Sequence, residues 1–188
     1  HLRQAAIKPG EGKDCGELRL FARACGTSAP CKTQKEEALN VFYNQPLAHR
    51  FGTALADDIE SGKWNRLEFA VAWVRRSGTR HLESSFKKFL QTGGFAQITV
   101  GVDIENTSEE GLRDLVSWES EGSIETYIHH NEADTTFHPK VYLLRNDEKA
   151  RLIVGSNNLT QSGLFVNTEA GLLLDSSVEI PLEIIVLF

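Results

Sequence analysis

Phe137-His138-Pro139-Lys140-Val141-Tyr142-Leu143-Leu144, followed by Arg151-Leu152-Ile153-Val154, then Gly155-Ser156-Asn157-Asn158 and later Glu169, is the stretch on which the reading of this chain turns. It reads as two apolar strands joined by a turn, with a polar loop leaving the second. Strand side chains alternate between faces, so residues two apart share one. His138 and Lys140 therefore project together, with Tyr142 beyond them, while Phe137, Val141 and Leu143 take the opposite face. An imidazole attacks phosphorus or takes a proton near neutral pH. A neighbouring ammonium holds phosphoryl oxygens as a point charge. The loop 155–158 supplies hydroxyl and amide donors for phosphate oxygens, with Asn157 and Asn158 both candidates for the amide. Glu169 is placed to orient an imidazole by accepting its second N–H.

The flanking sequence alternates helix and strand patterns. Leu47, Phe51, Leu55 and Ile59 recur at helical spacing and predict a helix over 47–62. Residues 67–74 read as a buried strand, 82–91 as a helix ended by Gly93-Gly94, and 97–103 as a second strand. Ser108-Glu109-Glu110 opens a helix to about residue 119, with acids in the first turn where the helix dipole favours them. Strands follow at 124–128, 137–144, 150–154 and 170–174. This pattern predicts an α/β layered domain. The expected division is an N-terminal extension or edge element at 1–40 and one domain at 41–188. The extension carries a short strand at 18–21 and a helix start at 33–36. Residues 180–188 read as a buried strand at a subunit contact.

His-x-Lys, then Gly-Ser-x-Asn, then Glu resembles the signature of the phospholipase D superfamily, the HKD motif. Within it the chain is most similar to the nuclease-like branch, which holds metal-independent restriction endonucleases and domains attached to helicases. The likeness is dense over about 40 residues around the motif and extends in pattern over 67–175. It implies an α/β/α sandwich with a mixed central sheet. It also implies His138 as nucleophile, Lys140 as the phosphate-binding lysine, Ser156 and Asn158 as phosphate ligands, and Glu169 as the downstream carboxylate. The full motif has Asp five residues after the Lys, where this chain has Arg145. That departure points away from a lipase and towards a nuclease. There is one motif copy and no second His-x-Lys; His129-His130 has no Lys at the required offset. Family members join two copies at one cleft, so the resemblance implies a homodimer that completes the site, working without metal or other cofactor. The expected activity is cleavage of DNA, in restriction, repair or defence, beside a fused or associated helicase or recognition domain. The alternatives are a phosphodiesterase for a phospholipid or small diester, and a degenerate nucleic-acid-binding or dimerisation module.

Composition bounds these readings. A 188-residue chain that is 40% hydrophobic and 24% charged has the make-up of a globular domain with a core. No apolar run is long enough to span a bilayer, and no secretory signal is visible at the start of the chain. Cys15, Cys25 and Cys31 form no Cys-x-x-Cys pair, which weighs against zinc. An odd cysteine count without a signal points to the cytoplasm. Net charge is −6, from 20 basic and 26 acidic residues, so binding to nucleic acid must rest on local patches. Two are candidates: Arg75-Arg76 with Arg80-His81, and Lys87-Lys88. The competing reading makes both ordinary solvated charges.

Overall fold

A computed structural model of the chain describes residues 39–42, 45–46, 49–103, 106–129 and 135–176. The expectations for residues 18–21, for the helix start at 33–36, for the cysteines, for His130 and for residues 180–188 lie outside the described residues. Seven strands form one sheet: β1 (Leu39–Phe42), β2 (Arg66–Val71), β3 (Phe95–Gly101), β4 (Ser123–His129), β5 (Lys140–Arg145), β6 (Ala150–Gly155) and β7 (Gly171–Ser176). Their order is β1-β7-β6-β5-β2-β3-β4. Neighbours among β2, β3 and β4 are parallel, whereas β5, β6 and β7 run as an antiparallel meander, with β5 against β2 and β1 against β7. The sheet is mixed and the fold is α/β, as the sequence pattern predicts.

The helices are α1 (Phe51–Glu60), α2 (Arg76–Gln91) and α3 (Glu109–Ser117). Their apolar stripes pack into one cluster with one face of the sheet. Phe51, Tyr142, Phe69, Phe86 and Trp118 form a chain of ring contacts through this core, with centroids 4.7 to 5.7 Å apart. Each such side chain contributes roughly 1.5–3 kcal/mol by its burial. The opposite sheet face holds Ala70, Val141, Leu143, Ala150 and Leu152, with Phe137 and Leu174 against them. The alternation read from residues 137–143 therefore places Tyr142 and Val141 in different cores, as expected. None of the described helices is long and apolar enough to cross a membrane.

Several boundaries differ from the sequence reading. Helix α1 starts at Phe51, because Arg50 is extended and the side chain of Gln45 accepts the Phe51 N–H at 2.9 Å. Helix α2 starts six residues before the expected 82, since its first turn is polar and carries no apolar stripe. That turn packs through Gly78, where a Cβ would lie 2.4 Å from the Leu159 carbonyl oxygen. Strand β5 begins at Lys140, not at 137: Pro139 has no N–H to donate, and residues 135–139 form no regular element. Its carbonyl still accepts from Ala72 N–H at 2.8 Å, which keeps the segment alongside the end of β2. Strand β1 lies where no strand was expected.

Candidate active site

The carboxyl ends of β2, β3, β4 and β6 and the amino ends of β5 and β7 share one rim of the sheet. This is the edge of an α/β sheet where ligands bind. Lys140, the first residue of β5, is buried at 7% exposure and pairs with Val71, the last of β2. Its Nζ lies 2.7 Å from Nδ1 and 2.9 Å from Nε2 of His138, and it donates to the His138 carbonyl at 3.1 Å. His138 is exposed, one face of its environment being Trp73, whose ring meets the imidazole edge-on at 5.2 Å and 76°. The same indole lies 5.4 Å from Lys140 Nζ, a cation–π distance.

This packing sets the protonation states. Desolvation first, and the Lys140 charge second, hold the His138 pKa below that of an ordinary imidazole. Burial lowers the Lys140 pKa too, with the Glu169 charge acting in the opposite direction. A neutral imidazole beside a cation is the arrangement that a nucleophile for an anionic diester needs.

The loop after β6 is held from several sides. Gly155 lets the chain turn tightly against β7, for a Cβ there would stand 2.7 Å from the Ala170 oxygen. Leu159 N–H donates to the Trp73 carbonyl at 3.0 Å, and Asn158 Oδ1 accepts the Trp73 N–H at 3.2 Å. With Oδ1 engaged, Asn158 Nδ2 has no hydrogen-bond partner among the described residues. Asn157 is used otherwise: its Nδ2 donates to Gly163 O at 2.8 Å and its carbonyl accepts from the Tyr142 hydroxyl at 2.8 Å. Burial pushes the Tyr142 phenol well up, so it stays a donor. Of the two asparagines, the second therefore has the amide to offer. Ser156 Oγ donates to Glu169, and Glu169 also accepts from Asn167 Nδ2 at 3.1 Å.

The five residues singled out from sequence thus fall into linked groups: His138 with Lys140, Asn158 bound to the backbone of Trp73, and Ser156 with Glu169. Among the described residues Glu169 bonds Ser156 and Asn167, not His138, so the orienting contact read from sequence is not made within one chain. His129 stacks on Phe137 at 4.5 Å and 17°, apart from this chemistry. Arg145, at the far end of β5, bonds the buried Glu68 at 2.6 and 3.0 Å, which gives the departure from the motif a structural role. No group of three or more His, Cys, Asp or Glu among the described residues is set to hold a metal ion.

Two residues were missed. Trp73 lies in an apolar run that continues to Val74 and read as core; its place beyond the carboxyl end of a parallel strand was the available signal. Gln45, itself buried, donates to Gly163 O at 2.8 Å and Asn167 O at 3.1 Å, tying the start of α1 to the π-helical turn Ser162–Val166. Nothing in the sequence marks it.

No protein-family model matches the chain, and no curated protein matches it by sequence. Solved structures do. NucT from Helicobacter pylori aligns at TM-score 0.55 and 15% identity, over 76% of this chain and 87% of that one. The phospholipase D family member Nuc from Salmonella typhimurium aligns at 0.50 and 18%, over 74% and 83%. Phosphatidylserine synthase of Haemophilus influenzae Rd KW20 aligns at 0.60 and 15%, over 82% of this chain but 38% of the synthase. A likeness at such low identity speaks for architecture and not for activity, and what it shows is that this chain has a phospholipase D-like fold.

Proposed function

We propose that this chain is a metal-independent phosphodiesterase that cleaves DNA through a phosphohistidine, at a site completed by a second copy of itself. The observation that carries the reading is Lys140 Nζ at 2.7 Å from a His138 imidazole whose pKa is held low. Names of the similar structures, a phospholipase D family member and a phosphatidylserine synthase, support phosphodiester chemistry in general. The fold itself does not choose among substrates.

In the first step a ring nitrogen of neutral His138 donates its lone pair to phosphorus. The N–P bond forms as the bond to the leaving oxygen breaks. The protonated His138 of the second copy gives that oxygen its proton. Lys140 and the Asn158 amide stabilise the charge on the non-bridging oxygens. In the second step the now neutral imidazole of the second copy takes a proton from water. The hydroxide attacks phosphorus, the N–P bond breaks and its electrons return to His138. Each chain supplies one imidazole, so a C2 axis through the cleft is required. Glu169, unengaged with its own His138, is available to the imidazole of the other copy. A helicase or recognition domain would select the DNA sequence.

The test is plasmid cleavage in EDTA by wild type and His138→Ala, with mass measured by light scattering. The expected result is cleavage that survives EDTA, vanishes in the variant and accompanies a dimer. Intact DNA with hydrolysis of bis(p-nitrophenyl) phosphate would move the substrate to a small diester or phospholipid. DNA binding without hydrolysis of either would make the chain a binding module. A monomer at micromolar concentration would break the shared-cleft mechanism.

A further inference from the structure

The two basic patches of the sequence have different fates in the fold. Lys87 Nζ lies 2.9 Å from Glu83 and 3.5 Å from Glu121, and Lys88 lies 3.7 Å from Glu60. Those lysines are neutralised where they stand. Arg75 is also engaged, donating to the carbonyl and side chain of Asn106 at 2.8 and 3.2 Å. Arg76 and Arg80 are held less. Among the described residues no carboxylate comes within ion-pair distance of either guanidinium, and both are exposed. Arg80 reaches only the neutral Gln161 Oε1, at 3.4 Å.

These two arginines sit four residues apart on α2, so they share one helix face. A like-charged pair at that spacing costs a few tenths of a kcal/mol in helix stability. Their place in the fold gives the pair a use. The first turn of α2 rests on the loop that carries Asn158. Arg75 N–H donates to Leu159 O at 3.1 Å, and Gln161 N–H donates to Ser77 Oγ at 3.3 Å. Arg76 follows Trp73 by three residues, so its Cα lies within about 11 Å of the Cα of the residue whose indole packs on His138. Arg80, through its contact with Gln161, stands beside the loop that carries Asn158.

We infer that Arg76 and Arg80 bind phosphates flanking the scissile one, so that the substrate is a polynucleotide strand and not a small diester. The inference rests on the phosphodiesterase reading of the same site and deepens it by naming the residues that hold the flanking strand. A guanidinium suits this task because its planar fork pairs with two phosphate oxygens at once. It also offers a route to DNA recognition for a chain whose net charge is −6: two exposed cations without an ion-pair partner among the described residues meet the backbone.

Binding tests this separately from hydrolysis. In a His138→Ala background, the affinity of a short fluorescein-labelled DNA duplex is measured by anisotropy across a salt series. The proteins are the parent, Arg76→Gln/Arg80→Gln and Lys87→Gln/Lys88→Gln. The arginine variant is expected to bind roughly 10-fold more weakly or worse, and to lower the slope of log K against log salt by about 2, one for each phosphate contact. The lysine variant should stay within about twofold of the parent, since its charges are already paired. In an otherwise wild-type chain, Arg76→Gln/Arg80→Gln should hydrolyse bis(p-nitrophenyl) phosphate at the wild-type rate. The inference is overturned by an unchanged slope in the arginine variant, by an equal loss in the lysine variant, by no DNA binding in the parent, or by equal loss of small-diester hydrolysis. Arginine-dependent DNA binding in a wild-type chain that hydrolyses nothing in EDTA would sink the phosphodiesterase reading and leave the binding track standing.

Discussion

The two ends of β5 make opposite use of charge. At the Arg145 end, Glu68 is 2% exposed and is bonded by Arg145 at 2.6 Å and by Arg66 at 2.8 Å. Burial alone would raise its pKa, but the two guanidinium bonds outweigh burial and hold it low. Every charge there has a partner. At the Lys140 end two basic groups touch, both have their pKa values pushed down, and no carboxylate among the described residues lies within ion-pair distance of the ammonium. A strand of six residues thus carries a compensated cluster at one end and an uncompensated one at the other. The compensated cluster is what a fold needs. The uncompensated one is what the proposed function needs, since a substrate phosphate would complete it, in line with the gathering of perturbed groups at functional sites.

The largest way to break this contrast is His138→Ala, which should cut phosphodiester hydrolysis roughly 10,000-fold or more while leaving the melting temperature near that of the parent. A matching collapse of stability would show that the pair is structural. Next comes Arg145→Asp, which puts back the acid of the family motif. Facing buried Glu68, it should cost about 3–5 kcal/mol in chemical denaturation, with the folded fraction still active. An unchanged midpoint would mean that the Glu68 cluster contributes little. Trp73→Leu is the third. It keeps an apolar side chain but loses the ring against His138, so kcat should fall about 10- to 100-fold with little change in KM. Equal loss in both parameters would assign Trp73 to substrate binding.

The smallest effect is in pH. In the folded protein the His138 pKa lies below the ordinary imidazole value of about 6.5, so the neutral form that acts as nucleophile persists into mildly acid solution, and the protonated form needed from the second copy becomes more populated as pH falls. An NMR titration of the His138 ring should show the low value, and Lys140→Gln should raise it. Because the unfolded chain takes up the proton first, this group also lowers stability as pH falls from the ordinary value to the folded one. A titration at the unperturbed value would remove the electrostatic part of the contrast.

Much of this could be read from residue order. The pairing of His138 with Lys140 was legible as alternation although His138 precedes the strand, and the two cores that Tyr142 and Val141 enter follow from alternation within it. The α3 start was visible in Ser108, whose side chain accepts the Gly111 N–H at 3.1 Å. The α2 start was not, because a polar first turn stabilised by packing against Leu159 has no periodicity to find. Trp73 was hidden by being apolar in an apolar run. The Glu169 contact to Ser156 was out of reach because it depends on the close approach of β6 and β7 at Gly155 and Gly171.

By itself the sequence determined which groups are present at the rim, their order, and the side of the sheet each takes, since local backbone geometry imposes alternation and helical spacing. Tertiary structure decided which of those groups are already satisfied. Asn157 spends its amide on Gly163 and Asn158 does not; Lys87 finds Glu83 and Glu121, while Arg76 finds no acid among the described residues. Partners such as Gln45 and Gly163, 118 residues apart, meet only when helix and loop close on the sheet. Whether a polar side chain is structural or free to act depends on such distant partners, because a hydrogen bond or ion pair exists only within a few ångströms.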